Sequence, residues 1–274
     1  CLMAGNENLM EKIVSLSKRR GFIFPGSEIY GGLAGTWDYG PLGTVMKNNL
    51  KQEFWRAHTL ERDDIVGLDA AILMNPRVWE ASGHTEEFID LVRECNLCHA
   101  RFRVDYTEEI KKHEAFHAEK SEHSGWTGPH KFNLLVEARL GAVEGKQSTV
   151  YLRGEITQGV HVNFKNILDS TRVKIPFGVA QIGKAFRNEI TPGNFTFRSR
   201  EFEQMEVQYY VKPDSVQAAD IFAQWKDERM AWYQKLGLGH LRFRDHAPGE
   251  LAHYAKAACD IEYESPFGGW KELE

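Results

Sequence analysis

Apolar positions recur at helical spacing in two places near the start of the chain. Leu9, Ile13 and Leu16 fall on one stripe of a helix over residues 7–20, which Gly21 stops. Met46, Leu50 and Phe54 stand at i, i+4 and i+8 of a second helix, opened by Pro41. A later helix is marked by Phe222, Trp225, Trp232 and Leu236 and ends near Gly237. Residues 149–212 instead carry short β-branched and aromatic runs broken by turn signals, the pattern of several antiparallel strands. Strands and helices that do not alternate strictly predict an α+β fold rather than a doubly wound sheet.

Two stretches break this texture. Residues 26–43 are dense in glycine around Trp37-Asp38-Tyr39-Gly40-Pro41, and glycine at that density permits unusual backbone angles and close approach of other groups, although a plain loop would read the same way. Residues 95–130 hold His99, His113, His117, His123 and His130, many charges and few large aliphatics, the texture of an inserted module. The expected organisation is therefore 1–94, an insertion at 95–130, and 131–274.

Composition narrows the class. A chain of 274 residues, 42% hydrophobic and 27% charged with mean hydropathy -0.46, is ordinary for a soluble globular protein. No apolar run approaches the roughly 20 residues of a membrane span, and the start lacks the basic-then-apolar order of a signal peptide, so a cytoplasmic location without a membrane partner is expected. A net charge of -5 argues against nonspecific nucleic-acid binding but leaves room for a local basic surface. Cys1, Cys95, Cys98 and Cys259 are too few and too irregular for a secreted disulfide framework.

The densest chemistry lies in Phe186 to Tyr210, FRNEITPGNFTFRSREFEQMEVQYY. On extended backbone Arg187 and Glu189 point to one face, and after the turn signal Thr191-Pro192-Gly193-Asn194 so do Arg200, Phe202, Gln204 and Glu206. An ordinary core would not bury four charges there, though a solvated face could carry them. Arginine suits phosphate oxygens, carboxylates hold ammonium groups or divalent metal, and a ring can stack a base; together they describe a nucleoside triphosphate site. Neither GxxxxGK[ST] nor GxGxxG is present, so side chains would have to hold the phosphates.

This segment resembles motif 2 of class II aminoacyl-tRNA synthetases. The chain is further similar to glycyl-tRNA synthetases of the homodimeric type through residues 22–43, NPRVWEASGH (75–84), YLRGEITQG (151–159), VNFKNILDSTR (162–172), 176–195, REFEQMEVQYYVKP (200–213) and 253–274. The resemblance implies an antiparallel sheet flanked by helices with a small insertion. It implies a glycine-tRNA ligase that takes ATP with Mg2+ as its substrate complex, with glycine and tRNA(Gly) as further substrates. It also implies a homodimer built on the motif 1 region around Trp37 to Pro41 and the following helix. The alternative is a noncatalytic relative that keeps the fold as a dimerisation or binding module.

Carried over by the resemblance, Arg187 contacts the α-phosphate as the catalytic arginine. The remaining ATP-binding positions are Asn188, Glu189, Phe197, Arg198, Ser199, Arg200, Glu201, Phe202, Glu272 and Leu273, with Phe202 on the adenine ring and Glu189 at its amino group. The glycine pocket comprises Glu155, Phe202, Glu203, Gln204, Met205, Glu206 and Arg103, with Gln158 beside them; Glu155 and Glu206 surround the ammonium. Gly154 stands where the family usually has proline, so a looser loop is expected there. The chain stops at Glu274 where the family continues, so motif 3 and the anticodon-binding domain are expected to be absent. Cys95-Asn96-Leu97-Cys98 is a zinc half-site with no second cysteine pair before Phe132, so two reduced thiols are expected rather than zinc. A tetrahedral site would have to borrow histidines.

Overall fold

A computed structural model describes residues 3–120, 125–142, 147–193, 195–213, 215–252, 254–266 and 268–274. Asn194 of the expected turn and His123 of the expected insertion lie outside these residues. In chain order the elements begin α1 (Met3–Arg19), β1 (Ile23–Pro25), β2 (Trp37–Tyr39), α2 (Pro41–Trp55), β3 (Ile65–Leu68), α3 (Arg77–Ala81) and α4 (His84–Glu87). Then come β4 (Ile89–Glu94), β5 (Arg101–Arg103), α5 (Thr107–Glu119), β6 (His130–Asn133), β7 (Val136–Leu140), β8 (Ser148–Leu152) and α6 (Thr157–Ser170). The chain closes with β9 (Phe177–Phe186), β10 (Glu201–Tyr210), α7 (Ser215–Lys235), β11 (Leu241–Asp245), β12 (Cys259–Glu264) and β13 (Trp270–Glu272). The fold is mixed α+β, as the patterning predicts. Two compact units divide it: Gly21–Tyr209, and Cys1–Arg20 together with Tyr210–Glu274.

In the Gly21–Tyr209 unit the centre is β9, whose residues Phe177 to Gln181 are buried on both faces between β3 and β10. Gln181 is fully buried, yet its amide is satisfied: Oε1 accepts from Ala70 N at 2.8 Å and Nε2 donates to Ile156 O at 2.8 Å. Arg153 works likewise, donating from Nε to Lys184 O at 2.6 Å and from Nη1 to Ala70 O at 2.8 Å. β4 lies between β5 and β6, and β7 pairs with β8, all antiparallel.

Several expectations are corrected here. β3 runs parallel to β9, so the sheet at the core is not purely antiparallel. Residues 157–170, read as part of a strand region, form α6, because Val160, Phe164 and Ile167 repeat at i, i+4 and i+7 and Val160 and Ile167 are buried on one stripe. Their β-branched composition masked that period. On α2 only Phe54 of the expected stripe enters the core; Met46 and Leu50 are exposed, as are Leu42 and Val45.

The other unit contains α1, α7 and the antiparallel sheet β11-β12-β13. Trp232 of α7 is buried, and Arg229 spans from its ring, 4.5 Å away, to Glu274 Oε2 at 2.7 Å. Burial first, and then Glu274, pushes the neighbouring Tyr233 hydroxyl up to about 12. Among the described residues no helix is long and apolar enough to cross a membrane.

Candidate functional site

The site is built at the open end of β9. The strand stops at Phe186, and Arg187, Asn188 and Glu189 follow in a tight bend in which Glu189 N donates to Arg187 O at 2.7 Å. The period-2 argument placing Arg187 and Glu189 on strand backbone is therefore corrected: the expected four-residue turn is a longer loop, closed by reciprocal backbone bonds between Gly193 and Arg198 at 3.2 and 3.1 Å.

Arg187 is held between two rings and a carbonyl. Its Nε donates to Gly154 O at 3.2 Å, and its guanidinium carbon lies 5.2 Å from the ring centres of both Phe88 and Phe202. The Gly154 loop is tighter than its sequence suggests: a Cβ there would sit 2.9 Å from Phe88 and 3.3 Å from Leu135. Glycine is what lets the loop pack beneath the arginine.

Around this pair the electrostatics are uneven. Glu189 is buried, and burial followed by the charge of Asp90 raises its pKa above the ordinary carboxylate range, against Arg187, Arg103 and Arg200. Arg198 lies 3.9 Å from Glu189 and 5.3 Å from the ring of Tyr106, and burial and the nearby Arg103 lower its pKa. Among the described residues its buried Nη1 has no hydrogen-bond partner, nor has Asp90 Oδ2. Arg103 is drawn in on the same side, 3.2 Å from Asp90 and paired with Asp105 through Nε at 3.0 Å and Nη2 at 2.8 Å.

A second cluster is acceptor-rich. Glu155 accepts from Gln158 Nε2 at 2.7 Å and faces His84 Nε2 at 3.3 Å; His84 first, with burial opposing, holds its pKa below the ordinary range. Glu206, on β10, accepts from Thr157 Oγ1 at 2.6 Å and from Gln208. Its pKa is raised, by burial first and by Glu155 as well. Among the described residues the buried acceptors Gln158 Oε1 and Gln204 Oε1 have no partner. Two carboxylates and two amide oxygens with spare acceptor capacity suit an ammonium group.

The alternation of β10 sorts the remaining candidates. Phe202, Gln204 and Glu206 share the face of these clusters, while Glu201, Glu203 and Met205 alternate to the other. Glu201 pairs with Lys184, and Glu203 pairs with Lys47 at 2.9 Å and Lys51 at 2.8 Å on α2. Arg200 is committed to the scaffold, with Nε on Glu189 O at 3.1 Å and Nη1 on Ala34 O at 2.9 Å. Ser199 is buried and donates to Thr196 O, Phe197 is half exposed, and Asn188 lines a groove with Asn133, Val136 and Tyr151. Glu272 and Leu273 belong to the other unit, on β13 and just after it.

His84, Phe88 and Asp90 were missed by sequence reasoning. His84 ends the 75–84 block that carries part of the resemblance, so that block held a usable signal; Phe88 and Asp90 had none. The Cys95–Cys98 half-site also has more company than expected: one ligand atom from each of Cys95, Cys98, His113 and His117 lies within 4.8 Å of the others.

No family model matches the chain. It is 51% identical over 267 residues to the glycine-tRNA ligase of Treponema pallidum, covering 97% of this chain and 56% of that protein. The glycine-tRNA ligase of Treponema denticola is 52% identical over 269 residues, covering 97% and 58%. That of Thermobifida fusca is 47% identical over 289 residues, covering 99% and 62%. The chain thus spans little more than half the length of these relatives.

Proposed function

Because the chain is related along 97% of its length to glycine-tRNA ligases, we propose that it carries the amino-acid-activating chemistry of such an enzyme, an aminoacyl-tRNA synthetase of class II. In the first step the glycine carboxylate attacks the α-phosphorus of ATP, supplied with Mg2+, and pyrophosphate leaves. In the second, the terminal ribose hydroxyl of tRNA(Gly) takes the glycyl group from the adenylate and AMP leaves. The first step needs no protein nucleophile, so the residues must align the reactants and cancel developing charge.

One observation carries this reading: Arg187 is clamped by Phe88, Phe202 and Gly154 O beside the acceptor-rich cluster of Glu155 and Glu206. In it Arg187 steadies the pentacoordinate α-phosphate, and Arg198, whose buried Nη1 has no partner among the described residues, takes a phosphate oxygen. Phe202 offers its ring to adenine, and Glu189 its carboxylate to the adenine amino group. Glu155, Glu206, Gln158 and Gln204 receive the ammonium of glycine. The exposed apolar residues Leu42, Val45, Met46 and Leu50 on α2 give a homodimer its contact face. The proposed location is the cytoplasm.

Glycine-dependent ATP-pyrophosphate exchange tests the reading, with alanine and serine as controls and Arg187→Ala as the blank. Exchange with glycine alone, lost in the variant, is the expected result. Absence of exchange from a folded, dimeric protein supports the binding-module alternative instead.

A further inference from the structure

The segment from β4 to β6 has little to hold it folded. Among its described residues only Val92, Cys95 and Ile110 are buried apolar side chains, too few for a self-supporting core in a module of this size. At its centre four side chains able to ligate a metal converge, two thiols and two imidazoles. Cys95 and Cys98 come from a tight loop in which His99 N donates to Cys95 O at 2.9 Å, with His99 at φ 59°. His113 and His117 stand at i and i+4 on α5, so both rings leave one face of the helix, with centroids 4.7 Å apart.

Two of the distances already match the edges of a tetrahedron, and all four ligand atoms lie within 4.8 Å of one another. Cys98 Sγ lies 3.4 Å from His113 Nε2, and Cys95 Sγ lies 3.8 Å from His117 Nε2. Metal-ligand bonds of about 2.3 Å to sulfur and about 2.05 Å to nitrogen put adjacent S and N ligands about 3.6 Å apart. Cys95 and His117 are buried, Cys98 is exposed, and Phe102 and Trp126 pack on His113 at 4.9 and 5.5 Å, so apolar rings and burial shield three of the four ligands, as in structural sites. Two thiolates and two neutral imidazoles cancel the charge of one divalent ion, so the occupied site is cheap to bury.

We propose that Cys95, Cys98, His113 and His117 bind one zinc ion, which clamps α5 to the β4–β5 hairpin and thereby holds Arg103 and Tyr106 against Arg198. In this proposal the histidines that a tetrahedral site would have to borrow are His113 and His117, whose helical spacing takes the place of the missing cysteine pair. The clamp reaches the candidate site by a short path. β5 ends at Arg103, Tyr106 immediately precedes α5, and the ring of Tyr106 lies 5.0 Å from the Arg103 guanidinium carbon and 5.3 Å from that of Arg198. The zinc site itself is independent of the proposed function; only the meaning of its effect on Arg198 rests on that reading.

The test is metal content of the purified protein by mass spectrometry, with Cys98→Ser and His113→Ala as variants and Cys259→Ser as control. The expected result is about one zinc per chain in the wild type and control and less than about a tenth in the two variants. Cobalt(II) in place of zinc is expected to give the strong visible bands of a tetrahedral S2N2 site. A wild type that holds neither metal, or a mass two units low from a Cys95–Cys98 disulfide, overturns the site. Hydrogen exchange of loaded and chelator-stripped protein tests the clamp without reference to activity: protection at residues 101–106 and 187–200 is expected to fall at least about tenfold on stripping. A change confined to residues 95–119 overturns the link to Arg198.

Discussion

The guanidinium carbon of Arg187 lies 5.2 Å from the ring centre of Phe202, and Phe88 stands at the same distance. A flat cation facing two rings and donating to Gly154 O has few conformations left to lose when a phosphate arrives. Arg187→Ala is expected to lower glycine-dependent exchange by about a hundredfold or more, mostly in kcat, and Arg187→Lys to recover little of it, since a lysine cannot fork across two oxygens. Phe88→Leu removes one cation-π partner and should cost about threefold to tenfold. Steady-state kinetics check the order; a lysine variant near wild-type rate would refute the role given to the fork.

Glu203 answers to α2. Burial works to raise its pKa, but Lys51 and Lys47 prevail and hold it below the ordinary carboxylate range. Its contribution to stability is therefore present above the unfolded carboxylate pKa and lost as pH falls through the depressed value. Glu203→Ala is expected to destabilise the fold by about 1–2 kcal/mol at neutral pH, less in acid, while leaving the KM for glycine unchanged. Thermal melts at two pH values and a glycine titration check both parts. A large rise in KM with no loss of stability would return Glu203 to the glycine pocket.

How legible the site was depended on how local its causes are. Phe202, Gln204 and Glu206 could be grouped from the period of a strand, and β10 keeps that period. Arg187 and Glu189 could not, because the bend at Glu189 N is a loop conformation with no apolar pattern behind it. The parallel pairing of β3 with β9 joins residues more than a hundred positions apart, which no local spacing encodes. A similar separation in sequence hid Asp90, whose charge raises the pKa of Glu189. The two imidazoles beside Cys95 and Cys98 were legible in principle, since i and i+4 histidines on a helix are a local pattern.

Gly35 shows what the glycine-dense stretch is for. Its φ is 73°, and an added Cβ would sit 2.7 Å from Pro192 and 3.4 Å from Arg200 Cγ, while its carbonyl accepts from Arg200 N at 2.7 Å. Gly35→Ala carries both a left-handed backbone penalty of about 1 kcal/mol and a clash that pushes the Pro192 loop away. The expected outcome is a lower melting temperature together with weaker ATP binding, because the Arg198 loop loses its support. Unchanged KM for ATP at a reduced melting temperature would confine Gly35 to a structural role.

Glu155 and Glu206 carry opposite perturbations, and this sets the pH dependence of glycine binding. Glu206 is raised by burial and then by Glu155, so its ionisation opposes folding: its favourable contribution is full below the unfolded carboxylate pKa, about 4.3, and is lost as pH rises through the raised value. Bound ammonium reverses that preference, because it stabilises the ionised carboxylate; glycine binding should therefore release a proton in this window. KM for glycine is expected to rise as pH falls, along a limb lying above the ordinary carboxylate range. Glu206→Gln should raise KM at neutral pH by about tenfold or more and flatten the limb, while making the free protein more resistant to heat at pH 8 than at pH 4 relative to wild type. Glu155 stays ionised through the same window because His84 and Gln158 hold its pKa down, so Glu155→Gln should raise KM yet keep the limb. Glycine KM profiles of the two variants and proton release by calorimetry in two buffers decide the matter. A limb that persists in Glu206→Gln and vanishes in Glu155→Gln would exchange the roles of the two carboxylates.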